Sequence, residues 1–436
     1  TEGPSYSNPA ARESAFASLA GELHVGQFVQ RYPPALGGSE AYTGRLCAYL
    51  AACGDRVTVF TSTAIELAEL WGERPTHPPT RREGAGGVGL RRYAPRSLPA
   101  RRYILKALSL LPVRRWQCLT SPCNPICPDM WRDAGRFAGP LDAVHATCFP
   151  YSFPIACGLR LARRRGVPFL LTPFLHLGDR ADPHDRTRAQ YTRPHLTWLL
   201  KQADRVFVQT RAERDAVLAL GVAEACVVLQ GLGVDPRECA GGNREAVRVA
   251  WGLAPGEVAV GHLANNSAEK GTTDLLRAAE IARAQGRRFR VILAGPEMPN
   301  FRAFWHSFGP KDRVVRLGVL SESQRRDFFA GIDCFALPSR TDSFGLVLLE
   351  AWANGLPNLV YRAGGPAELV RHEIDGLQAK CGDVGELAIH LGRLASREGL
   401  RTELGGNGLA RVAAEFGWKD KLELVRQTVR DACVRS

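Results

Sequence analysis

Twice along this chain, short apolar runs alternate with longer amphipathic stretches, and this pattern limits the possible folds more than any other feature of the sequence. Short runs bounded by turn residues read as buried strands, and the amphipathic stretches read as the crossover helices that parallel strands require. In the first series the expected strands are residues 23–29, 57–61, 88–93, 143–146, 169–172, 206–209 and 227–230, with helices starting near Ser39, Pro154, His195 and Arg211. In the second they are 258–263, 290–294, 314–317, 334–337 and 359–361, with helices at 272–285, 321–331, 345–354, 384–395 and 401–414. Between the series, residues 233–243 carry Pro236, Gly241 and Gly242, break both periods and read as a linker. Right-handed crossovers then make each half a doubly wound parallel sheet.

The expected organisation is a polar lead-in over residues 1–20, a first domain over 21–237, a second over 238–417 and a last helix over 418–436. In that helix Leu422, Val425 and Val429 recur at helical spacing. A chain of 436 residues suits two cores with a cleft between them. With 45% hydrophobic and 23% charged residues, disordered and fibrous classes are excluded. No apolar run approaches the roughly 18 residues of a membrane-spanning helix, and the first residues lack a basic-then-apolar signal, so the expected location is cytoplasmic.

The net charge of +13 is concentrated in one place. Arg81, Arg82, Arg91, Arg92, Arg96, Arg101, Arg102, Lys106, Arg114 and Arg115 face a single acid in the same stretch, Glu83, and are interleaved with Tyr103, Leu108, Leu110 and Trp116. Such a segment suits peripheral contact with an anionic membrane at its inner face or, equally, a solvated basic surface beside an anionic substrate. Nucleic acid ranks behind both, because no reading motif accompanies the charge. Cys118, Cys123 and Cys127 lack a second Cys pair or a His at zinc spacing, and the remaining cysteines read as reduced, mostly buried thiols. No metal or other cofactor is expected.

Ligands of open parallel sheets sit beyond the carboxyl ends of strands, and three such places carry suitable chemistry. Gly37 and Gly38, ahead of the first helix, allow close backbone approach, and amides at a helix start favour an anion. Asp342 and Glu350 are separated by seven residues; with a helix running from Ser343, at about 1.5 Å per residue, they lie on the order of 10 Å apart. That distance suits a nucleotide sugar, its diphosphate on the amides and its sugar and ribose hydroxyls on the two acids. Read in isolation, Asp342 is first an N-cap and Glu350 an ordinary helical residue. Lys270, after the Asn265–Asn266 turn, can neutralise a leaving diphosphate. His145 and His176 follow strands of the first domain, where a histidine either packs or meets a sugar hydroxyl; position favours His176 for the second role.

Together these residues resemble the retaining glycosyltransferases of family four, which have the GT-B fold of two Rossmann-like domains facing a central cleft. The resemblance rests on Tyr32, Pro33 and Pro34, Gly37 and Gly38, Ala203 to Val206, Gly233 to Asp235, Glu269 to Gly271, Leu293 to Gly295, Asp342 to Glu350, Gly355 to Pro357 and Gly364 to Glu368. It implies an enzyme that moves a sugar from a nucleotide-diphosphate donor to an acceptor with retention and without metal. Asp342 would touch the donor sugar, Glu350 the ribose, Lys270 the diphosphate, and the amides of Ser343, Phe344, Gly345 and Leu346 the same phosphates. His176 would stand beside the reacting centre, Gly38 beside the donor phosphate, and Val319 and Leu320 beside the base. It also implies that the last helix returns to the first domain. Two positions depart from the family: Asp342 stands where Glu is usual and Asn265 where Arg is usual. Asn265 raises the alternative of a nucleotide-sugar-binding protein with weak or lost turnover. A nucleotide-sugar epimerase on the same scaffold would not need the acid pair with Lys270, and the absent G-x-G-x-x-G spacing disfavours a dehydrogenase.

Overall fold

Eight strands form the first sheet in a computed structural model that describes residues 22–72, 78–82, 87–179, 182 and 184–434. They are β1 (His24–Phe28), β2 (Arg56–Ser62), β3 (Thr80–Arg82), β4 (Val88–Tyr93), β5 (Ala143–Thr147), β6 (Phe169–Thr172), β7 (Arg205–Val208) and β8 (Val227–Leu229). Their order across the sheet is β3-β4-β2-β1-β5-β6-β7-β8. All neighbours are parallel except β3 and β4. The second sheet runs in the order β11-β10-β9-β12-β13-β14, all parallel. Its strands are β9 (Val258–Leu263), β10 (Phe289–Ala294), β11 (Val314–Arg316), β12 (Cys334–Leu337), β13 (Asn358–Tyr361) and β14 (Gly376–Ala379). The lead-in 1–20 lies outside the described residues, as do 83–86 within the basic segment.

Most strand residues are buried because helices cover both faces of each sheet, which is why the strands read as apolar runs rather than as alternating patterns. In the first core Phe28 and Phe60 stack with ring centroids 4.4 Å apart. Strand order reverses between β1 and β5 in the first sheet and between β9 and β12 in the second. These switch points open crevices beyond the carboxyl ends of the strands.

Two strands were absent from the sequence reading. β3 is three residues, Thr-Arg-Arg, with nothing apolar to announce it, and it is the antiparallel exception at the sheet edge. β14 is Gly-Leu-Gln-Ala, without a β-branched or aromatic residue, and is held in place by pairing with β13. The linker also holds a short helical turn, Pro236–Cys239, capped by the Asp235 side chain. The basic segment folds into two helices, Arg101–Leu108 and Arg114–Thr120, ahead of a third, Pro128–Ala134. The final helix, Trp418–Val434, lies against the first domain: Arg426 pairs with Asp55 at 2.6 Å, and the Tyr49 hydroxyl donates to Glu423 at 2.6 Å.

Candidate active site

Lys270 and Asp342 meet at the switch point of the second sheet, one beyond β9 and the other beyond β12. The Lys270 ammonium lies 2.7 Å from the Asp342 carboxylate, and each side chain keeps about a fifth of its surface exposed, 22% and 19%. Burial works against ionisation of Asp342, but Lys270, the nearby His176 and the Phe344 amide outweigh it and hold the carboxyl below its usual range. The pair is thus a preformed, charged contact on the wall of the cleft.

His176 reaches this pair from the first domain, on the loop after β6. Burial first, then the Lys270 charge, push the imidazole down to about 4, so it is neutral near pH 7. The ring stacks on Tyr191 at 4.6 Å, and the Thr341 backbone across the cleft opposes the fall of its pKa. Nearby, the Gly364 amide donates to the Gly178 carbonyl at 3.3 Å, a direct bridge between the domains. His145 has the packed role instead: it is buried, bonded to the Thr172 hydroxyl at 2.8 Å and edge-on to Phe207.

The segment between Asp342 and Glu350 differs from the expected continuous helix. Ser343, Phe344 and Gly345 form a turn, and the helix is Leu346–Ala353, entered through Gly345 at φ 89°. A left-handed residue is needed there because the chain must reverse before the helix begins. With the helix beginning at Leu346 and no side chain capping it, the Gly345 and Leu346 amides stand at the helix start. Gly364 and Gly365 back this turn: a Cβ on Gly365 would sit 2.0 Å from the Ser343 carbonyl oxygen, and the Gly365 amide donates to the Asp342 carbonyl at 2.9 Å.

Glu350 is held by a residue that sequence reasoning missed. The Arg325 Nε donates to it at 2.8 Å, and a second guanidinium nitrogen donates to the same oxygen, Oε2. Burial raises the Glu350 pKa, and Arg325 opposes the rise. The Ser321–Gln324 capping box fixes where the helix Glu322–Gly331 starts, and so where Arg325 points; that box is the one signal in the sequence that bears on it. Val319 and Leu320 occupy the turn leading into this helix, with Val319 53% exposed and Leu320 packed on the core.

Gly37 and Gly38 lie beyond β1, where a further network surrounds Glu40. Its buried carboxylate pairs with Arg31 at 2.7 Å and accepts from the Gln30 amide at 3.0 Å and the Ser39 hydroxyl at 2.8 Å. A Cβ on Gly37 would fall 2.2 Å from a Glu40 oxygen, so the protein's own carboxylate is what requires that glycine. A Cβ on Gly38 would meet nothing within 4 Å, so open space adjoins the start of the helix there.

Asn265 is exposed beyond β9. Arg340, the nearest basic substitute by sequence, is drawn away by Asp274 at 2.5 Å. Among the described residues no group of three or more His, Cys, Asp or Glu side chains is arranged to hold a metal ion. The twelve cysteines are free thiols.

Residues 37–233 match the family model described as glycosyl transferase 4-like domain, and residues 243–411 match that of glycosyl transferases group 1. The chain is similar to the D-inositol 3-phosphate glycosyltransferase of Actinosynnema mirum, at 31% identity over 278 residues, covering 59% of this chain and 66% of that protein. Its counterpart in Nocardia farcinica is 26% identical over 422 residues, covering 92% and 86%. Among solved structures, sucrose-phosphate synthase from Thermosynechococcus elongatus superposes with a TM-score of 0.72 at 21% identity, covering 95% of this chain and 100% of that one. Anabaena HepE, in complex with UDP and glucose, gives 0.69 at 18% identity, covering 94% and 99%. With one model matched on each domain and the same two-sheet architecture in these neighbours, the chain belongs to the glycosyltransferases of family four, of GT-B fold.

Proposed function

We propose that the protein transfers a sugar from a nucleotide-diphosphate donor to an acceptor hydroxyl, with retention of configuration and without a metal ion. The observation that carries this reading is the meeting of Lys270, Asp342 and neutral His176 across the cleft, next to a helix start with open amides. As the bond from the sugar carbon to the diphosphate oxygen breaks, negative charge grows on the leaving group. Lys270 and the Gly345 and Leu346 amides supply positive charge and donors where that charge develops. Asp342 orients a sugar hydroxyl, neutral His176 accepts another, Glu350 takes the ribose hydroxyls, and Gly38 leaves room for the phosphates from the other side. Closure of the two domains excludes water and so suppresses hydrolysis of the donor. HepE was captured with UDP and glucose, which makes a uridine donor the first to try. The proposed location is cytoplasmic, with peripheral contact at the inner membrane face through the segment from Arg81 to Arg115.

The test is release of nucleoside diphosphate and transfer to a panel of hydroxyl acceptors from UDP-, GDP-, ADP- and TDP-sugars, with the product anomer assigned by NMR. Activity should persist in a metal chelator and fall in Glu350→Ala. An inverted anomer would refute retention, and loss of activity in chelator would refute metal independence. A second reading, a nucleotide-sugar-binding protein with lost turnover, draws on one feature: Asn265 brings no charge and Arg340 is committed to Asp274. Binding of a nucleotide without any release or transfer would establish it.

A further inference from the structure

The basic segment divides into two parts with different surroundings. Its first part is engaged within the fold: Arg91 lies 2.9 Å from Asp133, and buried Arg92 donates to the Pro33 carbonyl at 2.6 Å. Its second part, the two helices Arg101–Leu108 and Arg114–Thr120, is different. Among the described residues no ion pair reaches Arg102, Lys106 or Arg115, and from Gly84 to Pro128 the sequence holds no acid.

Apolar side chains crowd the same surface. Tyr103 is 75% exposed, Leu110 76%, Leu111 53% and Val113 56%, and seven of the seventeen exposed large apolar residues of the described chain lie between Tyr103 and Trp116. The hairpin that presents them is well tied, since the Trp116 indole donates to the Leu108 carbonyl at 3.0 Å and Arg101 donates to the Pro122 carbonyl at 2.9 Å. Tyr103 and Trp116 are thus displayed by the two helices, and Leu110, Leu111 and Val113 by the short connection between them.

Beside the hairpin runs a groove of about 550 Å³, lined by Trp116, Leu119, Trp131 and Trp198 and bordered by Arg115 and Arg163. Its aromatic walls are braced by arginines: Arg160 lies 4.1 Å from the centre of the Trp131 ring and Arg115 lies 6.0 Å from that of Trp198. No acid lines it; Asp204, 3.9 Å from Arg163, is the nearest counter-charge paired to its border.

From these observations we infer that the Arg101–Thr120 hairpin inserts its apolar tip into an anionic lipid bilayer, and that the tryptophan groove receives an acyl chain whose headgroup phosphate meets Arg115 and Arg163. The inference rests on the proposed peripheral contact and adds to it a face, a depth and a lipid class. Tryptophan and tyrosine settle at the boundary between headgroups and chains, and lysine and arginine keep their charges in water while burying their stems. A merely solvated basic face would not carry aliphatic residues at its outermost points. Nucleic acid would stack on tryptophan, but Leu110, Leu111 and Val113 offer it nothing.

The experiment is co-sedimentation of the whole protein with phosphatidylcholine vesicles, with and without phosphatidylglycerol, using acyl chains brominated at defined depths. Phosphatidylglycerol should strengthen binding by about tenfold or more, and brominated chains should quench tryptophan fluorescence. Leu110→Ser with Leu111→Ser should weaken binding and abolish much of the quenching, and Trp116→Phe should reduce the quenched fraction. Both substituted leucines are exposed, and an unchanged melting temperature and UDP shift would show that the fold and the donor site are intact. Binding that needs phosphatidylglycerol but shows no quenching and ignores the leucine changes would overturn insertion while leaving peripheral contact standing. No binding to either vesicle would remove both, and equal binding to an oligonucleotide would overturn the lipid assignment.

Discussion

Lys270 serves Asp342 in the protein as it stands, and in the proposed reaction it serves the leaving diphosphate as well. Lys270→Ala should lower kcat by about 10²- to 10³-fold, the usual loss when one preorganised donor to a developing anion is removed. Donor KM should change little; if KM rises and kcat holds, Lys270 acts in ground-state binding and the proposed role fails. The neutrality of His176 leads to a pH expectation. Its pKa is pushed down to about 4, below the usual 6.5, so protonation comes only at acid pH and the rate should be flat from about pH 6 to 8. An inflection near 6.5 that vanished in His176→Asn would contradict this. Arg325 holds only Oε2 of Glu350, which leaves Oε1 for a ribose hydroxyl. Arg325→Ala should therefore raise donor KM by about 5- to 30-fold, the equivalent of one charge-assisted hydrogen bond, with a smaller change in kcat. At this scale the sequence was most legible where chemistry is local. Lys270 and Asp342, picked out by type and by their place beyond strands, do lie 2.7 Å apart, whereas Arg325 was not legible, because its partner is 25 residues away and only packing brings them together.

The His176 loop is anchored by an element that the periodic pattern marked only as a helix near Arg211. Glu213, in the first turn of Arg211–Ala219, accepts from the Leu175 amide at 2.7 Å and the Gln209 amide at 2.6 Å, and so fixes the loop to β7 and its helix. Burial raises its pKa to about 7, against the pull of those two amides, with Glu368 adding to the rise. A carboxyl with a raised folded pKa stabilises below its unfolded value, near 4.5, and that stability is lost as pH rises through about 7. The Glu213→Gln variant cannot ionise. Relative to wild type its stability should rise by roughly 3 kcal/mol between about pH 4.5 and 7.5, on top of a constant loss from one misdirected amide. Urea denaturation of both proteins across that range gives the difference; a flat difference would mean that Glu213 ionises freely. The crossover helices around most strands were legible in the apolar pattern, while shorter helices such as Pro128–Ala134, Arg244–Ala250 and Pro299–Ser307 were not. β3 and β14 were not, since their strand state comes from the neighbour they pair with and not from their own residues.

The two-domain division could be read from the glycines and proline of residues 233–243, and the return of the last helix from the family resemblance, but the pairs that couple the domains could not, because their partners are far apart in sequence. The Trp418–Val434 helix returns to the first domain, where Arg426 and Arg430 share the buried Asp55 carboxylate at 2.6 and 3.3 Å. On the other side of the cleft Glu368 accepts from the Arg211 and Ala212 amides, both at 2.8 Å. One apolar core also runs through the hinge, from Val25 and Leu46 by way of Leu232 and Val234 to Trp352, Phe416 and Leu422. Two domains joined by so much buried surface should unfold together, although each has a core large enough to melt alone. Calorimetry should therefore show one transition, and UDP, which the proposed reaction places on the second domain, should raise the whole of it. Asp55→Ala leaves two arginines without their shared acid and removes the acceptor of the Leu23 amide, a loss of about 3–5 kcal/mol that falls on the contact between the helix and the first domain. In that variant the transition should split, the first domain melting early and only the later melt moving with UDP. If wild type already melts in two steps, of which UDP moves one, the returning helix does not couple the domains, and what joins them across the cleft is the Glu368 contact and the Gly364–Gly178 bond.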